Sequence, residues 1–158
     1  MIERVKTNLY SSFIIFDIDG TLANIGHRLY HIKSEKQDWD SFNDAMVDDI
    51  LHRHIAEIYY RMCNIRYMNN YGSIFVTGRP ETHRKMTEDW LMKHNLIPNY
   101  LFMRPAGDYR SDVEIKAEIY HKYIEPAEIL FVVDDRDAVV KMWRMKGLKC
   151  LQCQKGDY

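Results

Sequence analysis

The run Phe13-Ile14-Ile15-Phe16 contains no polar residue and ends directly on Asp17, and it limits the possible folds more than any other stretch. Successive side chains of a strand point to opposite faces, so four large apolar residues in a row leave neither face for water. A strand of this kind sits at the centre of a sheet covered on both sides. Ile129–Val133 repeats the pattern and also ends on carboxylates, Asp134 and Asp135. Apolar runs at Phe13–Ile18, Ser73–Thr77, Tyr100–Met103, Ile129–Val133 and Lys149–Gln152 therefore predict five strands.

Helical patterns separate them. Pro80 can open a helix running to about Asn95, with Met86, Trp90 and Leu91 on its inner face. Ser111-Asp112-Val113-Glu114 has the spacing of a capping box, opening a helix that carries Ile115, Ile119 and Tyr123. A third helix is expected over Asp137–Lys146, stopped by Gly147. Strands alternating with helices predict a parallel α/β sheet with right-handed crossovers. At 158 residues, without repeats or linker-like tracts, one domain covering 1–158 is expected. Leu22 to about Asn70 departs from the alternation. Its first part, about 22–47, is read as an insertion capping the sheet's carboxyl edge, and Asp48–Met62 as the first crossover helix.

The formal net charge of −1 gives no global field toward nucleic acid, so any polyanion contact must come from local Arg, Lys and His. No apolar run near the start is long enough to span a bilayer, and a cytoplasmic location with no membrane partner is expected. Cys150 and Cys153 have a C-x-x-C spacing. Zinc would need a second pair, and a redox motif usually opens a helix, so a structural role is expected.

Asp17-Ile18-Asp19-Gly20-Thr21 carries two carboxylates at a strand end, with Gly20 permitting a sharp turn that returns the second over the first. One carboxylate can then attack phosphorus while the other manages protons. A calcium loop would need acidic or amide residues at three alternate positions before its glycine, and this segment has two. Thr77-Gly78-Arg79 offers a hydroxyl and exposed N–H groups near a helix start, suited to phosphate oxygens, although alone it could be any turn. Lys116 shares a helix face with Asp112, which by itself reads first as an ordinary solvated ion pair. Adjacent carboxylates at Asp134-Asp135 repel, and a cation would relieve that repulsion. All four groups lie at carboxyl ends of predicted strands or at the helix starts that follow.

With Asp17/Asp19, Thr77, Lys116 and Asp134/Asp135 in this order, the chain resembles the haloacid dehalogenase superfamily of phosphohydrolases. A closer resemblance is to the phosphatase half of phage-type polynucleotide kinase/phosphatases. It rests on Phe16–Ala23, Thr77–Arg79, Gly107-Asp108-Tyr109-Arg110 with Asp112 and Lys116, Asp134-Asp135-Arg136, Met142-Trp143-Arg144 and Gly156-Asp157-Tyr158. The resemblance implies a three-layer Rossmann-like sheet of order 3-2-1-4-5 with a small helical cap after the first strand. It implies Asp17 as nucleophile and Asp19 as general acid/base. It places Mg2+ on Asp17, the Asp19 carbonyl, Asp134 and Asp135. Thr77, Gly78 and Lys116 would bind the transferring phosphate, Arg28 and Arg79 the substrate, and Asp112 would orient Lys116. No G-x-x-x-x-G-K-[ST] occurs, so no kinase half is expected in this chain. The segment His27–Phe42 matches the kinase-linked proteins poorly beyond Arg28.

The expected function is a magnesium-dependent phosphomonoesterase working through an aspartyl-phosphate, acting on a nucleic-acid 3′ end or a nucleotide. Arg28, Arg79 and Arg110 would clamp a neighbouring phosphate, and Trp39, Tyr30 or Phe42 would stack on a base. A mononucleotidase or sugar-phosphate phosphatase would share the same catalytic groups, and a non-catalytic module binding nucleic-acid ends is the more distant alternative. For the first step Asp19 must carry a proton, which nearby negative charge would favour, giving a mildly acidic optimum.

Overall fold

In the computed structural model, which describes residues 3–7, 10–33, 35–63 and 71–156, the apolar run forms β1 (Ser12–Phe16), buried along its whole length. β1 pairs in parallel with β4 (Tyr71–Pro80) on one side and β6 (Ile129–Arg136) on the other. β5 (Tyr100–Arg104) adds to β4 and β7 (Cys150–Gly156) to β6, again in parallel. The order is β5-β4-β1-β6-β7, as expected for the five principal strands.

The alternation of β1 divides the core. Phe13 and Ile15 join one buried cluster and Ile14 and Phe16 the other. The first cluster is completed by Ile115 and Ile119 of α5 (Asp112–Ile119) and by Val139, Val140 and Trp143 of α6 (Asp137–Met145). The second takes Ile55, Ala56 and Tyr59 from α3 (Arg53–Met62), and Trp90 and Leu91 from α4 (Arg84–Lys93). The result is helix, sheet and helix in three layers. Cys150 belongs to the first cluster and Cys153 packs against the second. The C-x-x-C pair thus straddles the sheet as two free thiols, which burial pushes up to about 12 and about 11.

Local signals place the helix ends. Ser111 Oγ accepts from the Glu114 amide at 3.3 Å while Glu114 Oε2 accepts from the Ser111 amide at 3.0 Å, the reciprocal cap of α5. α6 gives way at Gly147, whose φ of +82° suits the residue after a helix. Pro80 ends β4 rather than opening a helix, and α4 follows a short 3₁₀ turn over Glu81–His83.

The crossover helix expected from Asp48 begins only at Arg53. Ile50–Leu51 (β3) instead pairs antiparallel with Ala23–Asn24 (β2), and the His52 amide donates to Leu22 O at 2.8 Å. This ribbon ties down both ends of a segment holding two short helices, α1 (Tyr30–Lys33) and α2 (Trp39–Asp44). Both ends meet the sheet edge where Asp17 emerges. Within the Gly156-Asp157-Tyr158 element, Asp157 and Tyr158 lie outside the described residues.

Ile15 has 1 % of its surface exposed at the middle of the central strand. Ile15→Ala is expected to cost about 2–5 kcal/mol of unfolding free energy, read as a lower urea midpoint.

Candidate active site

β1 and β6 lie side by side, so Asp17 and the Asp134-Asp135 pair leave the sheet at the same edge. The Asp17 amide donates to Val133 O at 3.0 Å, setting one carboxylate level with the others. All three aspartates are buried, and a carboxylate oxygen of each lies within 4.8 Å of the other two. Lys116, one turn into α5, reaches across: Nζ donates to Asp17 Oδ1 at 2.6 Å and to Asp134 Oδ2 at 2.9 Å.

Burial raises the Asp17 carboxyl well above the usual carboxylate range; Asp134 and Asp135 push the same way, and Lys116 opposes them. Burial alone would lower the Lys116 ammonium, but Asp134 and Asp17 overcome this and hold it above an ordinary lysine. Three buried carboxylates this close together form a donor set that suits a divalent ion. The adjacent pair is not equivalent. Asp134 Oδ2 also accepts from Trp143 Nε1 at 3.2 Å, and its Oδ1 takes the amides of Asp135 and Arg136 at 2.9 and 3.3 Å. Asp135 borders the cavity and lies so close to Gly156 that a Cβ there would stand 2.1 Å from Oδ2.

Beyond Asp17 the chain turns sharply at Gly20, whose φ is +83°. The turn is held by Gly20 N to Ala23 O at 2.8 Å and by Gln154 Nε2, from β7, to Gly20 O at 2.5 Å. The Asp19 carboxylate meets two arginines here. Its Oδ1 accepts from Arg79 Nε and Nη2 at 2.8 and 2.6 Å and from Arg28 Nη2 at 2.7 Å. Both guanidiniums are also bound by Asp49: Arg28 through Nε and Nη2, and Arg79 through Nη2, each at 2.7 Å. Burial would raise Asp19, yet Arg79 and Arg28 outweigh it and hold the carboxyl at about 2. Nearby negative charge was expected to raise it in the enzyme–substrate complex; the charges nearest to it within the protein are positive and lower it.

Arg28, expected on the substrate, has no exposed side-chain surface. It rests 4.2 Å from the centre of the Phe42 ring and donates to Phe42 O at 3.2 Å, and it is not among the residues that line the cavity. Arg79 borders the cavity while serving the same two carboxylates. Asp49 was not anticipated from sequence. No motif marks it, and the only hint is that two arginines read as neighbours of a phosphate site need counter-charge when buried.

On the opposite wall Asp112 accepts from Arg104 Nη2 at 2.5 Å and from Arg136 Nη1 at 2.9 Å. It was expected to orient Lys116; it reaches that ammonium through its field, raising its pKa. Gly78 passes so close that a Cβ would stand 2.3 Å from Asp112 Oδ1. Thr77 is fully buried, its hydroxyl accepting from the Arg79 amide at 3.2 Å. Asp17, Asp19, Gly78, Arg79, Asp112, Lys116 and Asp135 all line one cavity of about 590 Å³, with residues of the inserted segment forming its far wall.

Known proteins resemble this chain over most of its length. The model of the polynucleotide kinase PNKP phosphatase domain matches residues 11–158. A putative bifunctional polynucleotide kinase/RNA ligase of Autographa californica nuclear polyhedrosis virus is 28 % identical over 136 residues, covering 83 % of this chain and 17 % of its own length. Two solved Pnkp1/Rnl/Hen1 complexes, one titled as an RNA repair complex, each contain a chain similar over 100 % of this one. The TM-scores are 0.78 and 0.77, at 28 % and 27 % identity, covering 47 % and 51 % of those chains. The chain therefore belongs to the polynucleotide kinase phosphatase-domain family and is a phosphatase of the haloacid dehalogenase type. It spans about half or less of the relatives it matches.

Because Asp19 titrates lower in the fold (about 2) than its ordinary 3.8, its pairing stabilises the protein above about pH 4 and is lost as pH falls toward 2. The contribution is on the order of 2 kcal/mol. Asp19→Asn is expected to flatten the fall in urea stability between about pH 5 and pH 2. An unchanged slope would remove the arginine clamp as its cause.

Proposed function

We propose that this chain removes the phosphate from 3′-phosphorylated nucleic-acid ends through an aspartyl-phosphate on Asp17. The observation that carries the reading is Asp17 itself, buried on the cavity floor between Lys116 and the acidic pair, with its amide fixed to β6. Family membership supports a polynucleotide substrate, and the 3′ position is our inference from the closer resemblance to end-healing phosphatases.

Asp17, Asp135 and the Asp19 carbonyl would hold Mg2+. Asp134, whose oxygens already take Lys116, Trp143 and two amides, would complete the site from behind. The ion would offset charge on the transferring phosphoryl group and lower the repulsion between it and Asp17. Lys116 neutralises Asp17 at rest and is placed to accept a phosphate oxygen once the substrate arrives. Gly78 brings backbone close to the same point, while Thr77 supports that turn. Asp17 attacks phosphorus, the leaving 3′ oxygen receives a proton from Asp19, and Asp19 then takes a proton from the water that opens the acyl phosphate. Arg28, Arg79 and Asp49 act on Asp19, fixing where its carboxylate stands.

Since Asp19 is ionised at rest, its proton arrives with the substrate. A phosphate monoester loses its second proton near pH 6, and the monoanion brings the proton that reaches the leaving oxygen by way of Asp19 as the P–O bond breaks. On this account kcat/KM falls as pH rises above about 6, giving the mildly acidic optimum by a route other than a raised carboxyl. A profile flat from pH 5 to 9 would exclude it.

The direct test is phosphate release, with magnesium, from a 3′-phosphorylated oligonucleotide beside its 5′-phosphorylated counterpart and a sugar phosphate. We expect preference for the 3′ end and loss of about 10³-fold or more in Asp17→Asn, with the substrate still bound. Preference for the sugar phosphate would shift the assignment to a different phosphomonoesterase on the same frame.

A further inference from the structure

Two aromatic rings on the walls of the catalytic cavity take no part in the chemistry above. Trp39, at the start of α2, lines the cavity with half of its surface exposed. It is braced rather than loose: its ring meets Phe42 edge-on at 5.7 Å, Phe42 lies against Arg28, and Nε1 donates to Gln37 Oε1 at 3.3 Å. Tyr109, between β5 and α5, lines the same cavity and is 95 % exposed. The backbone on both sides of it is fastened, since Arg104 Nη1 donates to Asp108 O at 3.2 Å and to Arg110 O at 2.5 Å. The Arg110 amide and guanidinium both return to Asp108. A held loop thus carries a ring that packs against almost nothing.

The arginines around this cavity are already engaged by carboxylates. Arg79 serves Asp19 and Asp49, Arg104 and Arg136 serve Asp112, and Arg110 serves Asp108 and Glu118. Each guanidinium is thus partly neutralised before a strand end arrives, which weakens a track of arginines on successive phosphates as the source of affinity. Stacking on exposed rings is the other general source, and it tolerates any base. Resting on the phosphatase reading, we propose that Trp39 and Tyr109 hold the terminal nucleobase of the 3′-phosphorylated end by stacking, and so select a nucleotide over other phosphomonoesters.

Trp39 can be read on its own, because the other two tryptophans, Trp90 and Trp143, are 2 % and 0 % exposed. The probe is a 3′-phosphorylated thymidine dinucleotide, compared with the same molecule lacking its terminal base, each titrated into Asp17→Asn with magnesium. We expect the thymidine ligand to quench tryptophan fluorescence and the abasic one to bind about tenfold more weakly without quenching. Tyr109→Ala should weaken the thymidine ligand about tenfold and leave the abasic affinity where it was, and Tyr109→Phe should restore binding. Tyr109 stands clear of the core, so these variants fold. Equal affinity for the two ligands, or binding without quenching, would overturn the stacking proposal. Wild-type release of phosphate from either dinucleotide is the separate test of the phosphatase, so the two readings fail independently.

Discussion

Lys116 holds this protein's central region together. From α5 its ammonium reaches Asp17 after β1 and Asp134 at the end of β6, joining three elements by two short, buried, charge-assisted bonds. Removing one partner from such a cluster leaves a buried charge uncompensated, a loss usually of about 3–5 kcal/mol. The arrangement needs α5 to start where it does. The Ser111–Glu114 cap fixes the first turn and puts Lys116 at the height of the carboxylates. Packing of Ile115 and Ile119 against the sheet keeps it there.

A second charge lattice sits one turn away with the opposite effect on its carboxylate. Asp17 is pushed up by burial, helped by Asp134 and Asp135, whereas Asp19, two residues later, is gripped by two guanidiniums and pulled down. Environments that drive neighbouring titratable groups apart are what two-carboxylate chemistry requires. Asp49 makes this possible. Without it, two arginines would share one small carboxylate; with it, four charges alternate and each guanidinium has two anionic neighbours. Asp49 comes from the inserted segment, so that segment sets the state of Asp19 as well as walling the cavity.

Much of the scaffold was legible in the sequence because its signals are local. The unbroken apolar runs marked β1 and β6 as central, the capping box placed α5, and Gly147 ended α6 as the pattern said. The clustering of Asp17, Lys116, Asp134 and Asp135 at the carboxyl edge was legible by order and position. What could not be read depends on partners distant in sequence. Ile50–Leu51 looked helical because its pairing with Ala23–Asn24 leaves no local mark. Arg28 was placed on the substrate by the family resemblance, which says nothing of its own neighbours. Only the fold shows Asp19 and Asp49 enclosing it, and Phe42 closing the space behind. The same ignorance of neighbours made Asp19 look raised when its actual surroundings lower it.

Asp17 and the lysine bound to it are 99 residues apart in the chain, and the acidic pair and the Gln154 support come later still. No contiguous fragment short of nearly the whole segment contains a working set. A cut within it separates Asp17 from the groups that keep it from repelling phosphate. Such a set is complete only as a whole, so its integrity belongs to the entire fold rather than to any one motif.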